Sequence, residues 1–289
     1  MVWEVISMQA IHSLFPKLFQ GESLEGLADS LHETGIGSVD LLIRDGYWVT
    51  PSGLGKEAPD YVQYMQQRRI EVPFATTSYT PEMLLKDPGP LEVMADLGIR
   101  SFRMGYLQYD ASVPLDSQLT DARVRMEKLA ELCSKHRMKA IYQVHHGRSQ
   151  LIQHSMSALT IVRDLPPEHV GIMLDPGNQY HDGRENSGKA VALLGRYLAA
   201  IGVKDVAVMQ DASKRHLPNK GWSTVWAPCQ EGLIDWHEIS ESMQVLDSPV
   251  IVNLQMHYHL PDRRVLLDTL REEWAYVVNA FGKRDGRSA

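Results

Sequence analysis

The chain is predicted to fold as a (β/α)8 TIM barrel, an α/β architecture, on three observations. Short apolar runs alternate with amphipathic helical patterns roughly eight times along 289 residues, a repeat that builds a parallel sheet wrapped by helices. The run Val170-Gly-Ile-Met-Leu174 is apolar throughout and is broken by Pro-Gly, as suits a strand buried on both faces. It ends on one carboxylate, Asp175, and the C-terminal ends of such strands are where parallel α/β folds bind ligands.

The first strand is expected at residues 3–8, before a helix over 24–33. The second strand is expected at 38–43 with a helix near 60–69, and the third at 71–76 with a helix after Pro90. The fourth, 100–105, leads into a long helix over 121–136, whose apolar positions Val124, Leu129, Leu132 and Cys133 recur near helical spacing. The fifth and sixth follow at 139–144 and 170–174, and the seventh at 200–207. A long loop and a helix at 236–245 precede the eighth strand at 250–254, and a helix at 264–281 closes the chain. Gly35 and Gly98 stand where helices must stop before the next strand. No composition shift marks a second domain. Residues 1–282 are read as one barrel domain and 283–289 as a polar, disordered tail.

Composition narrows the function. A 44% hydrophobic content supplies a large core, while 29 basic against 36 acidic residues, net charge -7, leave no nucleic-acid footprint. Cys133 and Cys229 form no disulfide framework, so a reducing cytoplasm is expected. No apolar run reaches membrane-span length, and residues 1–18 lack a basic segment followed by an apolar one. The expected partner is a small molecule rather than a nucleic acid or a membrane.

In such a barrel the strand-end residues carry the chemistry. They are Asp40 and Arg44, Thr76 and Thr77, Tyr106, Gln143 with His145 and His146, Asp175 and Asn178, Lys204 and Asp205, and Gln255 with His257 and His259. This rim of amide, hydroxyl and imidazole groups suits a polyhydroxylated molecule.

Four segments together resemble the xylose isomerase-like superfamily of TIM barrels, which includes sugar isomerases and ketose 3-epimerases. They are Tyr142-Gln-Val-His145, Val170 to Asn178, Ile201-Gly-Val-Lys-Asp205 and Gln230-Glu-Gly-Leu-Ile-Asp235-Trp. The resemblance implies one divalent ion held by two glutamates, an aspartate and a histidine, with the glutamates shuttling a proton. Position by position, Asp175 alone matches. Gln143 replaces the first glutamate, Gly202 the histidine, and Gln255 (or Asn253, if the register slips by two) the second glutamate. An amide oxygen coordinates a hard cation weakly and takes no proton. The metal position is therefore Asp175, Gln143 and Gln255, and the expected cofactor is none or a weakly held Mn, Mg or Zn ion. An alternative ligand set is Asp175 with His145 and His257.

The resemblance implies a sugar or sugar-acid isomerase or epimerase relative. Asp175 is the expected base and His145 or His257 its partner, since histidine titrates near neutral pH. Gln143, His146, Arg148, Asn178, Lys204, Gln255, His257 and Trp222 are the expected substrate-binding residues. Each has a plainer alternative. Asp175 could cap the following turn, Lys204 and Asp205 could pair with each other or with a neighbouring strand, and Arg148 could be a solvated loop residue. Tyr47-Trp48 and Trp222 to Trp226 sit in expected loops and suit a lid over a sugar ring or a homo-oligomer contact. The functional alternatives are a non-catalytic barrel that binds a sugar or partner subunit, and a metal-independent lyase or hydrolase on sugars. With both glutamates missing, negligible ketose 3-epimerase or aldose–ketose isomerase activity on free hexoses and pentoses is expected.

Overall fold

The structure, a computed structural model, describes residues 10–260 and 262–282. Ten strands run through it: β1 (Ala10–Leu14), β2 (Leu41–Leu42), β3 (Ala75–Thr76), β4 (Ser101–Arg103), β5 (Lys139–Gln143), β6 (Val170–Leu174), β7 (Leu198–Val203), β8 (Asp205–Gln210), β9 (Trp222–Ala227) and β10 (Val250–Leu254). Eight form one parallel sheet in the order β1-β10-β7-β6-β5-β4-β3-β2. A parallel bridge between Leu14 and Val39 joins its two ends, with Leu14 N–H donating to Ser38 O at 3.2 Å and Asp40 N–H to Leu14 O at 2.9 Å. The sheet thereby curls into the TIM barrel that the β/α alternation predicts.

The expected strand at 3–8 lies outside the described residues. The first barrel strand described is β1, whose Ala-Ile-His-Ser-Leu sequence carries polar residues because Ser13 faces the polar barrel interior. The expected seventh strand over 200–207 is corrected to two. β7 stops at Val203, and the chain leaves the barrel as β8, which pairs antiparallel with β9 in a separate ribbon. Asp205 directs that exit: its carboxylate accepts from Val206, Leu233 and Ile234 N–H and from Trp236 Nε1–H. The expected long loop thus contains a β-ribbon, and the β-branched, aromatic run Trp-Ser-Thr-Val-Trp-Ala is its second strand.

Helices Leu24–Thr34, Leu54–Gln67, Leu115–His136 and Arg263–Phe281 are the longest of the outer layer. Ser23 and Asp262 cap two of them through side-chain oxygens. Gly35, with φ 74°, ends the first in the left-handed conformation that frees Ile36 N–H to reach back to Leu31 O. In Leu115–His136 the buried face is Ala122, Met126, Leu129, Ala130 and Cys133. Val124 is exposed, because it stands half a turn away from that face.

Inside the barrel two layers follow from the two-residue period of strands. Ile11, Phe74, Ile141, Met173, Ala200 and Ile251 pack as an apolar plug. Two residues further along the same strands stand Ser13, Thr76, Gln143, Asp175, Gly202 and Asn253. The barrel therefore changes from apolar to polar within one layer, at the end where its strands terminate. No helix among the described residues is long and apolar enough to cross a membrane.

Candidate functional site

The polar layer is one connected network. Asp40, wholly buried, accepts from Ser13 Oγ at 2.5 Å, Thr76 Oγ1 at 2.7 Å and Asn253 Nδ2 at 2.9 Å. Asn253 Oδ1 in turn accepts from Gln255 Nε2 at 2.7 Å, so both alternative register positions face inward and are bonded to each other. Gln143 Nε2 donates to Gln255 Oε1 at 3.0 Å and to Asp175 Oδ2 at 2.6 Å, while its Oε1 accepts from Tyr106 OH at 3.0 Å. Reversing the Gln143 amide would turn an oxygen on a carboxylate, so the network fixes its orientation.

Asp175 is held by four hydrogen-bond donors. Its Oδ2 accepts from Gln143, from Asn178 Nδ2 at 2.8 Å and from Lys204 Nζ at 3.0 Å, and its Oδ1 accepts from Asn178 N–H at 2.9 Å. The last bond caps helix Pro176–Asp182, so the turn-cap role and the strand-end placement coincide in one residue. Lys204 pairs with Asp175, not with Asp205, and its Nζ also lies 3.4 Å from Gln255 Oε1. Burial pushes the Asp175 carboxyl up and the Lys204 amine down, and in each case the partner's opposite charge resists. With four donors on the carboxylate and two acceptors around the amine, the arrangement is an ion pair.

Two glycines make room for it. A Cβ on Gly202 would lie 2.8 Å from Asp175 Oδ2 and 3.2 Å from Gln143 Nε2. A Cβ on Gly177 would lie 2.9 Å from Lys204 Cγ. The Asp-Pro-Gly-Asn run thus has a local reason: carboxylate cap, proline in the first helical turn, glycine for the passing lysine, and an amide to hold the carboxylate.

Above this layer lies a cavity of about 120 Å³ lined by Lys17, Arg44, Arg103, Tyr106, Gln143, His145, Lys204, Gln255 and His257, among others. His145 Nδ1 lies 2.8 Å from His146 O, and His257 Nδ1 lies 3.1 Å from Gln255 O. A carbonyl can only accept, so both Nδ1 atoms carry the proton and both Nε2 atoms keep a free lone pair. Burial and the nearby Lys204 charge lower both imidazoles to about 3, so each is neutral at physiological pH. Tyr106, His145, His146, His181, Trp226 and His257 form a continuous aromatic wall, with His145 and His146 stacked at 4.8 Å and Trp226 5.4 Å from His257. Lys204 Nζ lies 5.3 Å from the Trp226 ring centroid.

The structure thus brings Gln143, Asn178, Asp175, Lys204, Gln255, His145, His146 and His257 together. It does not bring Arg148 or Trp222. Arg148 is exposed and lines a separate cleft of about 730 Å³ with Tyr109, Leu115, Gln153 and Asp182. Trp222, 51% exposed, stands at the far end of the ribbon, and Trp226 packs against His181 and His257 instead. His259 is exposed. Lys17 and Arg103 escaped the sequence reading. Lys17 lies beyond a strand that was placed elsewhere, and Arg103 looks like an ordinary polar residue in a three-residue strand. Larger clefts near His32 to Arg69 and near Lys139 to Ser248 lie away from the strand ends that converge on the small cavity, and position outweighs size here.

The donor set does not fit a divalent ion. Gln143 presents N–H groups rather than oxygen to Asp175 and Gln255, Asp175 Oδ2 is taken by three donors, and one of those donors is an ammonium. Among the described residues no three His, Cys, Asp or Glu side chains cluster as ligands, so Asp175, His145 and His257 do not form the alternative set.

The family described as xylose isomerase-like TIM barrel matches residues 90–274. No curated protein matches the chain. Among solved structures, a xylose isomerase domain protein from Alicyclobacillus acidocaldarius superposes with a TM-score of 0.71 at 15% identity, over 94% of this chain and 98% of that one. A D-psicose 3-epimerase determined in the presence of D-fructose gives 0.69 at 11% identity, over 94% and 100%. A xylose isomerase-like TIM barrel protein from Mycobacterium smegmatis in complex with magnesium gives 0.67 at 14% identity, over 97% and 98%. At these identities the likeness establishes the fold.

Proposed function

The chain belongs to the xylose isomerase-like TIM barrel family, and from that premise we propose that it acts on a small sugar or sugar acid without a resident divalent ion. One observation carries the reading: at the strand ends where the polar layer converges, Lys204 places a buried ammonium 3.0 Å from Asp175 and beside two imidazoles with free Nε2 lone pairs. An ammonium in a water-poor cavity polarises a substrate carbonyl or stabilises a developing alkoxide, because charge acts more strongly where water is excluded. His145 and His257 accept and return a proton at the neighbouring carbon. Asp175 is a positioning residue: it fixes Lys204, and its charge is taken up by that ion pair and by the Gln143 and Asn178 amides. Gln143, Gln255 and Tyr106 orient substrate oxygens, and Trp226 with His146 covers an apolar sugar face.

A second reading, binding without turnover, draws on one specific observation. Imidazoles lowered to about 3 are weak bases. One experiment separates the two. The protein is incubated in D2O with a panel of sugars and sugar acids, with EDTA or with Mn²⁺, and deuterium at the carbon next to the carbonyl is followed by NMR. EDTA-resistant exchange that is lost in Lys204→Met supports the enzymatic reading. Binding with no exchange selects the second, and Mn²⁺-dependent exchange contradicts the metal-free mechanism.

A further inference from the structure

Beyond its ion pair with Asp175, the cavity carries more positive charge than it can balance. Lys17, Arg44 and Arg103 line it with Lys204, yet only Lys204 takes part in an ion pair among the described residues. Arg103 is the telling case. It is 3% exposed, its Nη2 donates to Thr77 O at 2.7 Å, its guanidinium lies 4.8 Å from the Tyr106 ring centroid, and its Nε has no partner. Asp40 is the carboxylate nearest in charge effect, but it is spent on Ser13, Thr76 and Asn253 and does not line the cavity. A buried guanidinium with an unmet donor and no ion-paired carboxylate among the described residues is costly unless an anion completes it.

The arrangement around it matches that need. Arg44 is half-buried, with its guanidinium 5.8 Å from the Phe15 ring centroid, and Lys17 stands at the rim. Guanidinium groups present paired N–H donors that suit a carboxylate or phosphate, and an adjacent lysine adds charge without directional demand. The cavity, at about 120 Å³, is smaller than the roughly 300–1,000 Å³ of ordinary small-molecule pockets. It therefore seats a compact end of a substrate.

We infer that the substrate is anionic and that its carboxylate or phosphate group is held by Arg103, Arg44 and Lys17, on the same cavity as the Lys204 ammonium. The word "substrate" rests on the sugar reading above; the anion site does not. It also gives a physical reason to expect negligible turnover of free hexoses and pentoses: they leave Arg103 unpaired.

Calorimetric titration tests the inference with matched probes: gluconate against the neutral polyol sorbitol, glycerol 3-phosphate against glycerol, and inorganic phosphate and acetate alone. The anionic member of each pair should bind and its neutral counterpart should not, with affinity falling as salt rises. Gluconate over glycerol 3-phosphate assigns a carboxylate, the reverse a phosphate. Arg103→Gln should weaken binding about 10- to 100-fold, the loss of a charged hydrogen-bonded contact. Because Arg103 is buried, Arg44→Gln and Lys17→Gln repeat the test on more accessible groups, and Arg148→Gln should change nothing. If simple anions bind through Arg44 and hydroxylated ones bind no better, the anion site stands and the sugar reading falls. If sorbitol binds as tightly as gluconate and Arg44→Gln is silent, the sugar reading stands and this inference is overturned. Failure of every anion to bind overturns it as well.

Discussion

Gly202 on β7 leaves the space into which the Asp175 carboxylate of β6 reaches: a Cβ at 202 would stand 2.8 Å from Oδ2. The position that would hold a histidine in a metal site is thus committed to an inward-turned carboxylate. Gly202→Ala is predicted to lower stability by about 1–3 kcal/mol, the usual cost of overpacking a filled core. Thermal unfolding measures it. An unchanged midpoint would show that Asp175 does not occupy this space.

The Lys204–Asp175 pair should be strongly coupled. Removing one partner of a buried ion pair strands the other charge, at about 3–5 kcal/mol. Lys204→Met and Asp175→Asn are each expected to destabilise the protein in that range, and the double variant by much less than their sum. A double-mutant cycle from urea unfolding reads the coupling. Additive effects would mean that the two groups do not share a charge interaction.

The histidines set a pH dependence whose sign follows from their environment. His145 and His257 are lowered from 6.5 to about 3 in the folded protein, by burial first and the Lys204 charge second. Below about 6.5 the unfolded chain binds protons that the folded chain refuses, so their contribution to stability is full above 6.5 and is lost as pH falls towards 3. Asp40, raised by burial to about 7, acts in the opposite sense, its contribution being lost as pH rises towards 7. Comparing wild type with a His145→Asn/His257→Asn variant isolates the histidine part: the difference should shrink as pH drops below 6.5. Nitrogen NMR should show both Nε2 atoms unprotonated, with no titration between pH 5 and 8. A midpoint near 6.5 for either ring would contradict the assignment.

The fold was legible because alternation and turn chemistry are local signals. The run Val170 to Leu174 and the glycine stop at Gly35 need no partner to be read. β1 was missed because its residues serve the barrel interior, where Ser13 meets Asp40 from 27 positions away. The exit of β8 was missed because Asp205 draws its hydrogen bonds from Leu233 to Trp236, and no window of sequence contains both. At the site, motif position pointed to Gln143, Asp175 and Gln255, the first hydrogen-bonded to both others, while the pairing of Lys204 with Asp175 rather than Asp205 depends on how β6 and β7 lie together. Arg103 and Lys17 gave no signal, since a lone cation acquires meaning only when three others line the same cavity.

The Lys204 ammonium, 3.0 Å from Asp175, takes up the one carboxylate that the family resemblance assigns to a divalent ion. Titration of Mn²⁺ into EDTA-treated, dialysed protein, followed by electron paramagnetic resonance, tests it most directly. No saturable site is expected below millimolar Mn²⁺, and Asp175→Asn should leave that result unchanged. One equivalent of tightly bound Mn²⁺ that disappears in Asp175→Asn would overturn this, placing a metal on the Asp175 carboxylate.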